Sequence, residues 1–128
     1  MKKKTSKPAS RPRLPKVSDA MKAWSAALAD EIATWPNVSL RPMFGFSAYY
    51  RGSRIFCVLP CTRGMETANS LAFKLESVRP ATIAQAKRDP RIQKADFAKG
   101  TWFGFELSSD TDLRDALKWL LRARQAAR

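Results

Sequence analysis

Histidine is absent from the 128 residues of this chain. Its absence removes any Ser-His-Asp or Cys-His catalytic unit within one chain, any His-containing zinc site, and the commonest general base. Cysteine is nearly absent: Cys57 and Cys61 are the only two, too few for a disulfide framework. Their C-x3-C spacing is one residue longer than the usual redox pair, and a metal would need two further ligands. The simpler expectation is a small core residue at Cys57 and a loop thiol at Cys61, with no metal and no cofactor. No apolar run approaches the roughly 18 residues of a membrane span, and the basic N-terminal stretch lacks the apolar segment of a secretory signal. A cytoplasmic protein with no membrane partner is expected.

Acids are scarce too. Asp and Glu number 11 against 24 Lys and Arg, for a net charge of +13. The excess is concentrated at one end. Lys2, Lys3, Lys4, Lys7, Arg11, Arg13 and Lys16 fall within residues 1–16 with no acid among them, leaving 17 cations against 11 acids in the rest. Pro8, Pro12 and Pro15 interrupt the same stretch, and Leu14 is its one large aliphatic residue beyond Met1. Such a segment buries too little apolar surface to offset the entropy of ordering it. Residues 1–17 are therefore expected to be a disordered basic arm, and 18–128 a single α+β domain. With 45 % apolar residues, a body of this size can build a real core.

What remains is well patterned. Ser18 is a plausible N-cap with Asp19 in the first turn. Met21, Trp24, Leu28, Ile32 and Trp35 then recur in steps of three and four, which predicts a helix over 19–35 with that stripe facing the core. Val38 to Phe44 reads as an edge or bulged strand, because Pro42 cannot donate to a ladder. Gly45 marks a bend, Phe46 to Tyr50 is aromatic and β-prone, and Arg51-Gly52 is a turn signal. Arg54 to Leu59 is apolar at five successive positions, as in a strand buried on both faces. Residues 60–70 read as a loop, Leu71 to Glu76 as a strand, 81–88 as a short helix, and Thr101 to Leu107 as a strand. Ser109 with Asp112 forms a capping-box signature before the last helix. There the expected core stripe is Leu113, Ala116, Leu117, Leu120 and Leu121.

The stretch Met43-Phe44-Gly45, the aromatic strand, the Arg51-Gly52 turn, Ile55-Phe56-Cys57-Val58-Leu59 and the later Phe73-Lys74-Leu75 together resemble the N-terminal domain of the TfoX/Sxy family, in the neighbourhood of the YjbR-like proteins. The resemblance covers residues 38–76, and more loosely 100–126. Phe46 departs from it by replacing a second glycine, and Arg51 by replacing the usual turn Asp. It implies helices bracketing an antiparallel sheet in an order close to α-β-β-β-α-β-β-α and no established enzyme activity; the family's named members are linked to regulation of DNA competence, and a non-catalytic regulatory or binding module is the corresponding expectation here.

Two candidate surfaces follow from the residues. Cationic arms gain affinity for nucleic acid by releasing condensed counterions but read little sequence without base-edge contacts. The seven arm cations, extended by an Arg114/Lys118/Arg122 ridge spaced by four on the last helix, are the candidate nucleic-acid contacts. No aromatic residue interleaves the arm, so stacking on bases is not indicated there. The second surface is the sheet face away from the helices. Alternation places Ile55, Cys57 and Leu59 on one side of the central strand and Phe56 and Val58 on the other. Phe56, Val58, Trp102 and Tyr49 would then form an apolar patch for a homodimer or protein partner, unless the 60–70 loop covers it. Convergence of Arg41, Arg63, Lys74 and Arg79 on an anion is the less favoured reading against solvated cations. Glu66, Asp89 and Asp96 carry no recognisable catalytic geometry, and no catalytic residue is assigned.

Overall fold

The computed structural model describes residues 16–65, 67–95 and 101–128. Lys2, Lys3, Lys4, Lys7, Arg11 and Arg13, and with them most of the basic arm, lie outside the described residues, as do Glu66 and Asp96. The described body runs α1 (Asp19–Ile32), β1 (Val38–Met43), β2 (Phe46–Arg51), β3 (Arg54–Pro60), β4 (Ser70–Lys74), α2 (Pro80–Arg88), β5 (Ile92–Lys94), β6 (Trp102–Glu106), a 3-10 turn (Asp110–Asp112) and α3 (Leu113–Ala126). All six strands form one antiparallel sheet in the order β1-β2-β3-β4-β6-β5. This is the α+β architecture expected from the sequence.

Local signals account for the helix ends. Ser18 Oγ accepts from the Met21 amide at 3.0 Å, satisfying one of the orphan donors of the first turn of α1. The helix stops at Ile32, three residues earlier than its apolar periodicity suggests. Thr34 and Trp35 continue in a tighter turn, their amides bonding Glu31 and Ile32 carbonyls at 3.0 Å. Trp35 still packs, its ring 6.4 Å from that of Phe56. The Ser109–Asp112 capping box is present at the start of the last helical segment. Order also begins earlier than residue 18: Lys16 forms a β-bridge with Arg63, and Val17 is buried in the main core.

The core stripe of α3 is rotated from the expected one. Ala116, Trp119, Leu120 and Ala123 are buried, whereas Leu121 is 38 % exposed. The periodicity is right; the choice of face is decided by the ring of Trp119, which stacks 5.8 Å from Phe73, itself 5.8 Å from Phe103.

The central strand explains the largest departure. The β2–β3 register passes from Tyr49↔Cys57 to Tyr50↔Ile55, leaving Phe56 without an opposite residue. This β-bulge shifts the phase of the pleat. Phe56, Cys57 and Leu59 consequently join the helix-side core, while Ile55 and Val58 face the other way. Tyr49, opposite Cys57, is also on the helix side. The expected interface set of Tyr49, Phe56, Val58 and Trp102 is thus divided between two faces, and each member is at most 6 % exposed. Val58 and Trp102 belong to a second small core with Ala48, Ala72, Met65 from the 60–70 loop, and Ala95 following β5. The loop covers the patch, so these four residues do not form an open docking surface.

Two hairpins set the ends of the sheet. Between β1 and β2, Met43 pairs with Phe46 across Phe44-Gly45, and both central residues have positive φ, 50° and 89°. That is the type I′ turn, whose twist suits antiparallel strands and whose preferred sequence is Asn-Gly. Gly45 is required here: a Cβ would lie 2.7 Å from Thr62 Oγ1. Phe44 is the costly member, since a left-handed conformation disfavours an L-residue by roughly 1–2 kcal/mol. The second turn, Gly52-Ser53, closes β2 onto β3 at the opposite end of the sheet.

A polar clamp fixes α3 to the β5 region. Arg91 bonds Asp89 through Nε at 2.9 Å and Nη2 at 2.8 Å, Asp112 at 2.9 Å and Asp115 at 3.0 Å, with its guanidinium over the Phe105 ring. Hydrogen bonds from Arg91 hold the Asp89 carboxyl below the usual range. The Ser108 amide, then Arg91 and the Ser109 amide, do the same for Asp112. Lowered folded-state values mean this stabilisation is complete above the unfolded carboxylate pKa, about 4, and is lost as pH falls through the folded values. Urea unfolding at pH 7 and pH 3 should show a lower midpoint at pH 3, and the Asp112→Asn variant should show a smaller fall. An equal fall in both proteins would assign the acid sensitivity elsewhere.

Candidate nucleic-acid interface

At the Gly52-Ser53 end of the sheet the chain leaves β4, turns at Ser77 with φ 55°, and enters α2 through Arg79-Pro80. Arg79 is the N-cap residue and supplies no side-chain cap, and Pro80 occupies the first turn. Pro is suited there because its missing N–H would be an orphan in any case. This start of α2 faces the C-terminal turns of α3 across an open groove of about 740 Å3, lined by Arg54, Glu76, Arg79, Thr82, Gln85, Arg122 and Arg128 among others.

The charge of the groove is one-sided. Among the described side chains, four arginines meet one carboxylate, Glu76, and that carboxylate is already held by Arg54 Nη1 at 2.6 Å and Lys74 Nζ at 3.8 Å. Arg122 is positioned in advance: Nη1 donates to Gln85 Oε1 at 3.0 Å, and its guanidinium lies over the Trp119 ring at 4.7 Å. Planar guanidinium groups of this kind bond phosphate oxygens in pairs. The positive end of the α2 dipole adds to the same field.

Of the predicted ridge, Arg122 lines this groove. Lys118 is exposed and 4.0 Å from Asp115, and Arg114 is exposed two turns before Arg122. The four cations weighed as one anion site do not converge. Arg79 lines the groove, Lys74 approaches Glu76, Arg41 stacks on Tyr50 at 4.7 Å, and Arg63 bridges Lys16 at the far end of the sheet. Arg54 and Arg128 are groove residues that spacing alone does not reveal. Arg79-Pro80 is the one local signal, a cation at the start of a helix.

The cysteines separate by environment. Cys57 is buried in the core and burial pushes its thiol pKa up. Cys61 is exposed, its Sγ 2.9 Å from Ser47 Oγ, beside a small cleft of about 260 Å3 that Ser25 and Tyr49 also line. Burial, with smaller contributions from Cys57, Cys61 and Asp30, moves the Tyr49 hydroxyl up to about 12, so it stays protonated at neutral pH. Asp89 is committed to Arg91.

Among the described residues, no helix is long and apolar enough to cross a membrane. The fold and groove define a small α+β protein with a basic surface. No family model, no curated protein and no solved structure matches the chain.

Proposed function

We propose that this chain is a non-catalytic binding module of regulatory type that holds nucleic acid by its phosphate backbone and does not read sequence. The observation that carries the reading is the arginine-lined groove between α2 and α3, in which Glu76, the one carboxylate among the described side chains, is already paired. The groove is open to solvent rather than an enclosed cavity, which suits a polymer backbone better than a small metabolite. Among the described residues no aromatic side chain lines it, which suits tracking phosphates rather than stacking on bases. The cations of residues 1–16 supply a second, sequence-independent contribution through counterion release. The non-catalytic part of the proposal rests on the lack of histidine and on the absence of a nucleophile–base pair among the described groove residues.

The test is duplex binding by the Arg79→Gln/Arg122→Gln double variant. Gln at 122 retains a donor toward Gln85, and melting of the variant checks the fold. Each arginine removed should weaken binding roughly tenfold and reduce the slope of log affinity against log salt by about 1. Duplex affinity and salt slope unchanged from native would remove the groove from the interface.

A further inference from the structure

Phe44 is the most exposed large apolar side chain among the described residues, at 88 %, and it also occupies a left-handed backbone position, φ 50°. Either property alone is unfavourable. Together they make Phe44 a residue that neither packing nor turn geometry explains, since Asn or Gly would suit the first central position of a type I′ turn better. Strained, solvent-facing positions of this kind cluster where a side chain is used for contact.

The tip is also rigid. The carbonyl of Gly45, the next residue, accepts amides of Cys61 and Thr62 at 3.0 Å and of Arg63 at 3.5 Å. Three donors on one carbonyl lock the hairpin to the following loop and hold Phe44 outward. Its surroundings are cationic. Arg63 is exposed, its side chain runs alongside Gly45, and it bridges Lys16, also exposed. Lys16 is the point at which the cation-rich first 16 residues join the body. Glu106, on this end of the sheet, is engaged by Thr67 Oγ1 at 2.7 Å. An aromatic plane set among cations matches an unpaired nucleobase flanked by phosphates, because every base has a π-face and the cations meet the backbone. A paired base offers no free face inside the stack.

We infer that Phe44 is a base-stacking element, fixed on the β1–β2 turn beside Lys16 and Arg63, that directs this protein to single-stranded segments of nucleic acid. The inference rests on the proposed nucleic-acid function and adds the strand type to it. The groove at the opposite end of the sheet supplies backbone affinity for either form, and Phe44 supplies the preference.

The experiment compares the full chain with Phe44→Asn and Phe44→Trp, using fluorescence anisotropy on a labelled 15-nucleotide oligo-dT and on a duplex of equal length. Asn suits the turn, so the melting temperature of Phe44→Asn should match or exceed that of the native protein. Its affinity for oligo-dT should fall roughly 5- to 100-fold, the range for loss of one stacked base, while duplex affinity stays within about twofold. Phe44→Trp should restore oligo-dT binding. Undiminished oligo-dT binding by Phe44→Asn, or equal losses on both ligands, overturns the inference while leaving the groove reading in place. Failure of the native protein to bind either oligonucleotide overturns both. A variant that changes only self-association in sedimentation makes the tip a protein contact and likewise overturns it.

Discussion

Replacing Phe73 by Ala is expected to cost about 3–5 kcal/mol of stability and to lower the melting temperature by roughly 10–20 °C. Phe73 is fully buried on β4 and is the middle ring of a stack, 5.8 Å from Phe103 on β6 and 5.8 Å from Trp119 on α3. Its removal opens a cavity between sheet and helix, and rings held by β6 and α3 cannot both move in to fill it. Since domains of this size are stable by only about 5–15 kcal/mol in total, the variant should be near the limit of folding. Phe73→Leu, which keeps most of the volume, should lose much less. Urea titration monitored by far-ultraviolet circular dichroism gives both values. A loss below about 1 kcal/mol for Phe73→Ala would show that the stack is not central to the core.

Raising salt from 50 to 200 mM is expected to weaken nucleic-acid binding by a few hundredfold. The value follows from neutralising about five phosphates, which gives a slope near −4 to −5 on duplex DNA. Residues 1–15 carry six cations and no acid, so deleting them should remove most of the slope and leave the smaller dependence of the groove. Lys16 and Val17 are retained in the deletion because Lys16 bridges Arg63 and Val17 packs in the core. A slope unaltered by the deletion would assign binding wholly to the body, with Arg79 and Arg122 as the first residues to replace.

Features determined by near neighbours were legible in the chain. Ser18, the Ser109–Asp112 pair and the Met21–Ile32 stripe each depend on contacts a few residues apart or on one simple period. The β-bulge was not legible. An inserted residue in an apolar run such as Ile55-Phe56-Cys57-Val58-Leu59 leaves the composition unchanged while reversing which side chains share a face. In α3, apolar side chains lie on more than one flank, and only the position of Phe73 selects Trp119 over Leu121. The groove assembles Arg54, Arg79, Arg122 and Arg128 from separate elements, so no spacing could announce it. The I′ turn was obscured because Phe stands where Asn is usual, and that substitution is itself the informative feature.

The two margins of the sheet bear on how the protein behaves when concentrated. β1 pairs with β2 on one side only, and its middle residues Ser39 to Pro42 are exposed. A second molecule adding a strand there would meet Pro42, which has no N–H to donate, and the exposed charge of Arg41. At the other margin β5 is only three residues long and ends in Lys94. Neither border is a good template for strand addition, and both use devices by which β-proteins resist growing into fibrils. Growth of the sheet from one molecule into the next is therefore disfavoured at both margins, by the missing N–H of Pro42 at one and by the shortness of β5 at the other.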